Sequence, residues 1–353
     1  MVNLNDSGDL ANKSVTRSEA IKQYYATILC QTFSHDGKYL IASLKSGKLA
    51  LFGISRIFDS HENQPCSDKS IYQPSISIQA HKDAIYGLTG NKSLILTGGK
   101  GEIKCWKWSD LVNQNTIESQ WSITLAHGDS ILRPEINSLV LCGNDETDEL
   151  LLAGCGNNKI YGYDLESNQP RLTLDGHTDY INCLAYSKQS NILFSGSEDG
   201  SVCLWDLRIG KTVNTIEPYK HNELNRPFGK WIGSIALDNS SEWMVCGGGP
   251  HLSSWHLRSL SRGVVFESSS CDVTSQVALI HNDYVVSGGS SSQVSTWSLN
   301  GKIFSEIPCE PFHVYSIAIH EKDQKSLMAI GGSSYKINIC TNFKYNDFHL
   351  EVF

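Results

Sequence analysis

The sequence predicts an all-β fold, a seven-bladed β-propeller of four-stranded antiparallel blades, and three recurrences along its 353 residues carry that prediction. An apolar-x-apolar-aromatic run returns at Phe52, Trp106, Tyr163, Trp205, Trp255, Trp297 and, with cysteine in the last place, Cys340, at gaps of 54, 57, 42, 50, 42 and 43 residues. Ahead of each lies an apolar run closing on small residues, such as YLIASLKSG, ILFSGSEDG and LMAIGGSS. After each comes a further alternating stretch, from SISIQA through RLTLDG to FHLEVF. With an inner strand in front, four short strands recur about every 40–45 residues, the pattern of sheets repeated around an axis.

The elements follow in chain order. Thr16 with Glu19 forms a capping box, and Ala20, Ile21 and Tyr24 follow at helical spacing, so a short helix is expected to lead into the wheel. Residues 1–15 read as a flexible tail and 16–353 as one propeller. The first strand, TILCQTF, is an inner one and the last, FHLEVF, an outer one. Each blade should therefore be one contiguous stretch, with the ring closed by packing of the first blade on the last. Residues 56–73, where Asp59, Ser60, His61, Glu62, Asn63 and Gln64 precede Pro65, read as a solvated loop. The connection 109–134 is longer than most, and long loops often carry function. Glycine clusters at Gly98, Gly247, Gly288 and Gly331 lack the Gly-Lys-Ser/Thr ending of a phosphate loop and read as turns.

Composition bounds the function. The chain is 40% apolar with 29 Gly, 8 Trp and 14 Tyr, a β-leaning globular profile. Eleven cysteines without a Cys-x-x-Cys pair read as buried thiols in a reducing compartment. No stretch approaches the roughly 20 apolar residues of a membrane span, so a soluble nuclear or cytosolic protein with no membrane contact is expected. A net charge of -8 repels phosphate backbones, so nucleic-acid contact should be local or indirect.

No catalytic constellation emerges: the chain has no His-Glu-x-x-His and no Gly-x-Ser-x-Gly. His251 and His256 flank a third strand, on which alternation aims side chains to opposite sides. The acidic run NDETDE at 144–149 lacks the spacing of a calcium loop and reads as a solvated turn. No catalytic, metal or cofactor site and no small-molecule substrate are therefore expected. One stretch combines cations with aromatics: Tyr219, Lys220, Arg226, Phe228, Lys230 and Trp231. That chemistry suits a protein hot spot or stacked single-stranded RNA, the acidic total favouring protein. The plain alternative is a long loop leading Trp231 into the next inner strand.

Gly176-His177, a serine on the second strand, Asp199 in the following turn and Trp205-Asp206 resemble the WD40 family. That resemblance implies a hydrogen-bonded tetrad of His177, Ser195 or Ser197, Asp199 and Trp205. Other blades keep His81, or Trp255 and Trp297, and should rely on apolar packing. PEINSLVL at 134–141, RPFGKWIGSIA at 226–236, WMVCGGGPHLSSWHLRS at 243–259 and TNFKYNDFHL near the end resemble the THO complex subunit 6 family more closely. This implies a nuclear, non-catalytic scaffold that docks onto other THO subunits, associates with itself and reaches RNA mainly through partners. Trp205-Asp206-Leu207-Arg208 also resembles the motif by which some WD40 proteins dock, as substrate receptors, onto the adaptor of a cullin-RING ubiquitin ligase.

Overall fold

The computed structural model describes residues 21, 26–63, 69–113, 118–125, 133–144, 147–221, 229–267, 275–322 and 325–353. Seven four-stranded antiparallel sheets, each built from four consecutive strands, form the blades. Blade 1 consists of Ile28–Phe33, Tyr39–Leu44, Lys48–Gly53 and Ile76–Gln79, and blade 4 of Ile181–Ser187, Ile192–Ser197, Val202–Asp206 and Lys211–Ile216; in chain order, blade 2 runs from Gly87 to Thr124, blade 3 from Ile136 to Asp175, blade 5 from Ile232 to Val265, blade 6 from Ser275 to Pro308 and blade 7 from Val314 to Glu351. The residues indexed in the sequence all fall in third strands, and none is more than 6% exposed. They are buried because the core lies between blades. Trp205 packs among Leu174 of blade 3 and Leu193 of its own blade, and Trp255 of blade 5 among Phe194 and Leu204 of blade 4.

The ring closes without a shared sheet. Ala318, Leu327, Ala329, Ile337 and Ile339 of the last blade join Leu40, Ala42 and Phe52 of the first in one apolar cluster. Across the same seam the Gln31 side-chain amide donates to the carbonyls of Ser316 (3.1 Å) and Ala329 (2.7 Å).

Residues 56–73 correct the expectation of a solvated loop. Ile54–Asn63 form a helix, α1, and Lys69–Tyr72 a 3-10 turn. Ile54, Ile57 and Phe58 lie at i, i+3 and i+4, so one helix face is apolar. Ile54 and Ile57 are fully buried in the seam cluster, and Phe58 and Tyr72 each meet Phe348 of the last outer strand at 5.8 Å between ring centroids. The insertion is a clasp over the joint. The second long connection opens with a short helix, α2 (Trp108–Asn113), whose buried Trp108 and Leu111 cap blade 2. The Trp108 indole donates to the carbonyl of Asn91 at 3.1 Å. The leading helix expected from Thr16 and the tail 1–15 fall, Ile21 apart, outside the described residues.

A bulge recurs at one place. In blades 1, 3, 4, 5, 6 and 7 the ladder slips at the second residue of the inner strand, so that Asn137, Asn182, Gly233 and Tyr315, among others, each stand as an extra residue. Bulges bend a strand and re-aim the side chain at the bulge.

Candidate functional site

Blade 4 holds a complete polar relay. Strand alternation puts Ser195 on the face it shares with Leu193 and Ser197, and Leu193 pairs with Trp205 across the ladder. Ser195 Oγ lies 2.7 Å from His177 Nε2 and accepts from Trp205 Nε1 at 2.8 Å. His177 Nδ1 lies 2.8 Å from Asp199 Oδ2, which also accepts the Thr178 amide at 3.0 Å. Asp199 is held in its turn by the Ser201 amide (2.8 Å) and hydroxyl (2.6 Å) on Oδ1. Of the two serines the sequence offered, Ser195 is the link; Ser197 Oγ instead donates to the Asp179 carbonyl at 3.0 Å and receives the Asp199 amide. Gly176 matters sterically, since a Cβ there would come within 2.9 Å of the Trp205 ring.

Charge follows the geometry. Burial opposes a proton on His177, but the Asp199 hydrogen bond, aided by Cys203, outweighs it and raises the imidazole to about 9. Asp199, despite its own burial, is held well below the usual carboxylate range by His177, Ser201 and Thr178. The two groups share one charge-assisted hydrogen bond, and each holds the other in its charged form.

A second relay, which sequence reasoning missed, crosses blade 2. His81 Nε2 lies 2.8 Å from Thr97 Oγ1, which accepts from Trp106 Nε1 at 3.1 Å. The spacings, 16 and 9 residues against 18 and 10 in blade 4, were a readable signal. Trp297 and Trp255 likewise donate to Ser287 (2.8 Å) and Ser253 (3.0 Å), so these blades add hydrogen bonds to the apolar packing expected of them. In blade 2 no aspartate is in place, and Glu102 stands 3.7 Å from His81 Nδ1. Burial, helped by Lys104, pushes His81 down to about 4.

The two histidines therefore act oppositely on stability. His177, raised from about 6.5 to about 9, stabilises fully below pH ~6.5 and loses that contribution as pH rises through 9. His81, depressed to about 4, costs stability as pH falls from ~6.5 toward 4, because the unfolded chain takes up the proton first. An NMR titration of ring carbons should find His177 charged and His81 neutral throughout pH 6–8. A His177 ring neutral at pH 7 would contradict this assignment.

The candidate partner residues separate onto two faces. Third strands run from one face of the ring to the other, so the turn at 198–201 and the turn at 207–210 lie at opposite ends of Val202–Asp206. Arg208 belongs to the second. Its guanidinium grips Asp206 at both oxygens, Nε at 2.9 Å and Nη2 at 2.6 Å, while its side chain stays 68% exposed. The Arg208 bonds hold the Asp206 carboxyl down at about 2.

Tyr219, Lys220, Lys230 and Trp231 lie at the other face. The ammonium groups of Lys220 and Lys230 stand 5.9 and 5.7 Å from the Tyr219 ring centroid, and Lys220 pairs with Glu217 at 2.5 Å. A Cβ on Gly200, whose φ is +89°, would come within 2.8 Å of Tyr219 and 3.0 Å of Lys230, so this patch sits directly on the relay turn. Arg226 and Phe228 fall outside the described residues, as do the side chains of 144–149.

His256 Nδ1 meets Ser259 Oγ at 2.7 Å, and its ring lies 5.0 Å from that of Trp243. Among the described residues no three metal-ligating side chains gather. The inner strands surround a central channel, whose Arg208 face holds a recess of about 940 Å³ lined among others by His35, Lys92, Lys188 and His281. On the relay face, Asn182, Glu198, Trp231, Gly233 and Tyr315 line a recess of about 400 Å³.

Comparison with known proteins accords with this architecture. The family model for "WD domain, G-beta repeat" matches residues 168–206, from the outer strand of blade 3 through the third strand of blade 4. The chain is 35% identical to the THO complex subunit 6 homolog of Danio rerio over 327 residues, 92% of this chain and 97% of the relative. It is 34% identical to THO complex subunit 6 of Homo sapiens over 336 residues, 94% of each. THO complex subunit 6 of Arabidopsis thaliana is 26% identical over 88% of this chain and 84% of the relative. A propeller with the relay in blade 4, matched nearly end to end by animal and plant relatives, belongs to the THO complex subunit 6 family of WD40-repeat proteins.

Proposed function

We propose that the chain is a non-catalytic scaffold subunit of a THO/TREX-type complex in the nucleus, coupling transcription and mRNA processing to mRNA export through protein–protein contacts. One observation carries this reading: similarity to THO complex subunit 6 of Homo sapiens runs over 94% of both chains, well beyond the single repeat that the family model matches. Seven interlocked blades make a rigid wheel whose two faces can hold different partners at once. The scaffold grips other THO subunits, associates with a second copy within the complex and reaches RNA chiefly through those partners. The net charge of -8 supports the indirect route to RNA.

A second reading, a substrate receptor of a cullin-RING ubiquitin ligase, draws on Trp205-Asp206-Leu207-Arg208. Trp205 and Asp206 are buried, so the exposed Arg208 would have to carry most of the contact, and its guanidinium already holds Asp206. Affinity purification of the tagged protein from nuclear extract should recover THO subunits, and Arg208→Ala should leave that recovery unchanged. Recovery of a ligase adaptor that disappears in Arg208→Ala, with no THO subunit present, would reverse the choice.

A further inference from the structure

We propose that the recess on the relay face of the channel is a binding site for an arginine side chain presented by a protein partner. It is built by the recurrent bulges: blades 4, 5 and 7 contribute Asn182, Gly233 and Tyr315, each the extra residue of its inner strand. Re-aimed by the bulge, these positions join Trp231 and Glu198 around about 400 Å³. The Trp231 ring lies against Gly233, where a Cβ would come within 2.4 Å of it, so only glycine lets the indole lie across the channel wall. Tyr315 is backed by His313, their rings 8° from parallel at 6.2 Å.

Glu198 is the one charged side chain lining the recess among the described residues. Asn182 Nδ2 donates to its Oε1 at 3.0 Å and to the Ile232 carbonyl at 3.1 Å, which ties the carboxylate to the seam between blades 4 and 5. The Glu198 amide donates to the Tyr180 carbonyl at 2.9 Å and fixes the backbone beneath it.

Two aromatic rings and an anchored carboxylate form a receptor for a planar cation. A guanidinium stacks on indole or phenol and donates its fork to a carboxylate, whereas an ammonium offers only a point charge. The same carboxylate repels a phosphate, so the site selects a basic peptide over a nucleic acid. The negative net charge of the chain draws such a peptide in. This chemistry is independent of the assembly proposed above.

The test uses the full chain and a nine-residue Gly-Ser peptide with one central arginine, followed through the indole N–H resonance of Trp231, assigned by its loss in Trp231→Phe. The arginine peptide should shift that resonance saturably, and the same peptide with citrulline should bind roughly tenfold or more weakly, since it keeps the shape and loses the charge. Glu198→Gln, which still accepts from Asn182, should weaken the arginine peptide by a similar factor, and oligouridylate should not displace it. Equal binding of the two peptides, no shift with either, full binding by Glu198→Gln in a protein of unchanged thermal midpoint, or displacement by oligouridylate would each overturn the proposal.

Discussion

Trp205→Ala will lower the stability of the propeller by about 3–5 kcal/mol, the range for removing a large buried aromatic. The indole is 2% exposed and bridges blades 3 and 4 among Leu174, Leu193 and Cys203. Its removal leaves a cavity at an inter-blade joint and deprives Ser195 of the donor at 2.8 Å. Trp205→Phe separates the two effects. It retains much of the volume but loses the Nε1 bond, so a loss of only about 1 kcal/mol is expected. Chemical denaturation of the three proteins measures both. A Trp205→Ala loss below 1 kcal/mol would mean that blade 4 is held by something other than this joint.

Ile57→Asp should cost a similar amount, about 3–5 kcal/mol, because it leaves an unpaired carboxylate in an apolar cluster. Ile57 is fully buried where α1 crosses onto the last blade. Damage there is local to the seam, so hydrogen exchange should accelerate in 28–53 and 325–353 before it does in 181–216. The change also decides between two views of the insertion. In a solvated loop, a surface exchange of this kind stays within roughly 0.5 kcal/mol.

These two positions mark what was legible in the sequence and what was not. Trp205 could be found by counting, because inter-blade packing demands a large or apolar residue at a fixed place in every third strand. Even Cys340, with no aromatic, is fully buried at that place. Ile57 was hidden by its neighbours: the polar run from Asp59 onward reads as a loop, and only the triplet Ile54, Ile57 and Phe58 betrays the helix. His81 was visible as a residue but not as a relay, because its blade lacks the aspartate that makes the pattern familiar. The recess at the channel was illegible for a different reason. Asn182, Glu198, Trp231 and Tyr315 come from three blades, and no linear spacing relates them until the ring brings together the bulges at Asn182 and Tyr315, the turn at Glu198 and the strand entry at Trp231.

The contiguity of each blade also bears on how the molecule is made. A growing chain can complete one sheet after another as it leaves the ribosome, since no early strand waits for a partner encoded at the far end. Until residues 314–351 emerge, the product is an open arc whose first blade exposes Leu40, Ala42 and Phe52 to water. Synthesis that stalls late would leave that sticky margin uncovered, a target for chaperones and quality control that the finished wheel never presents.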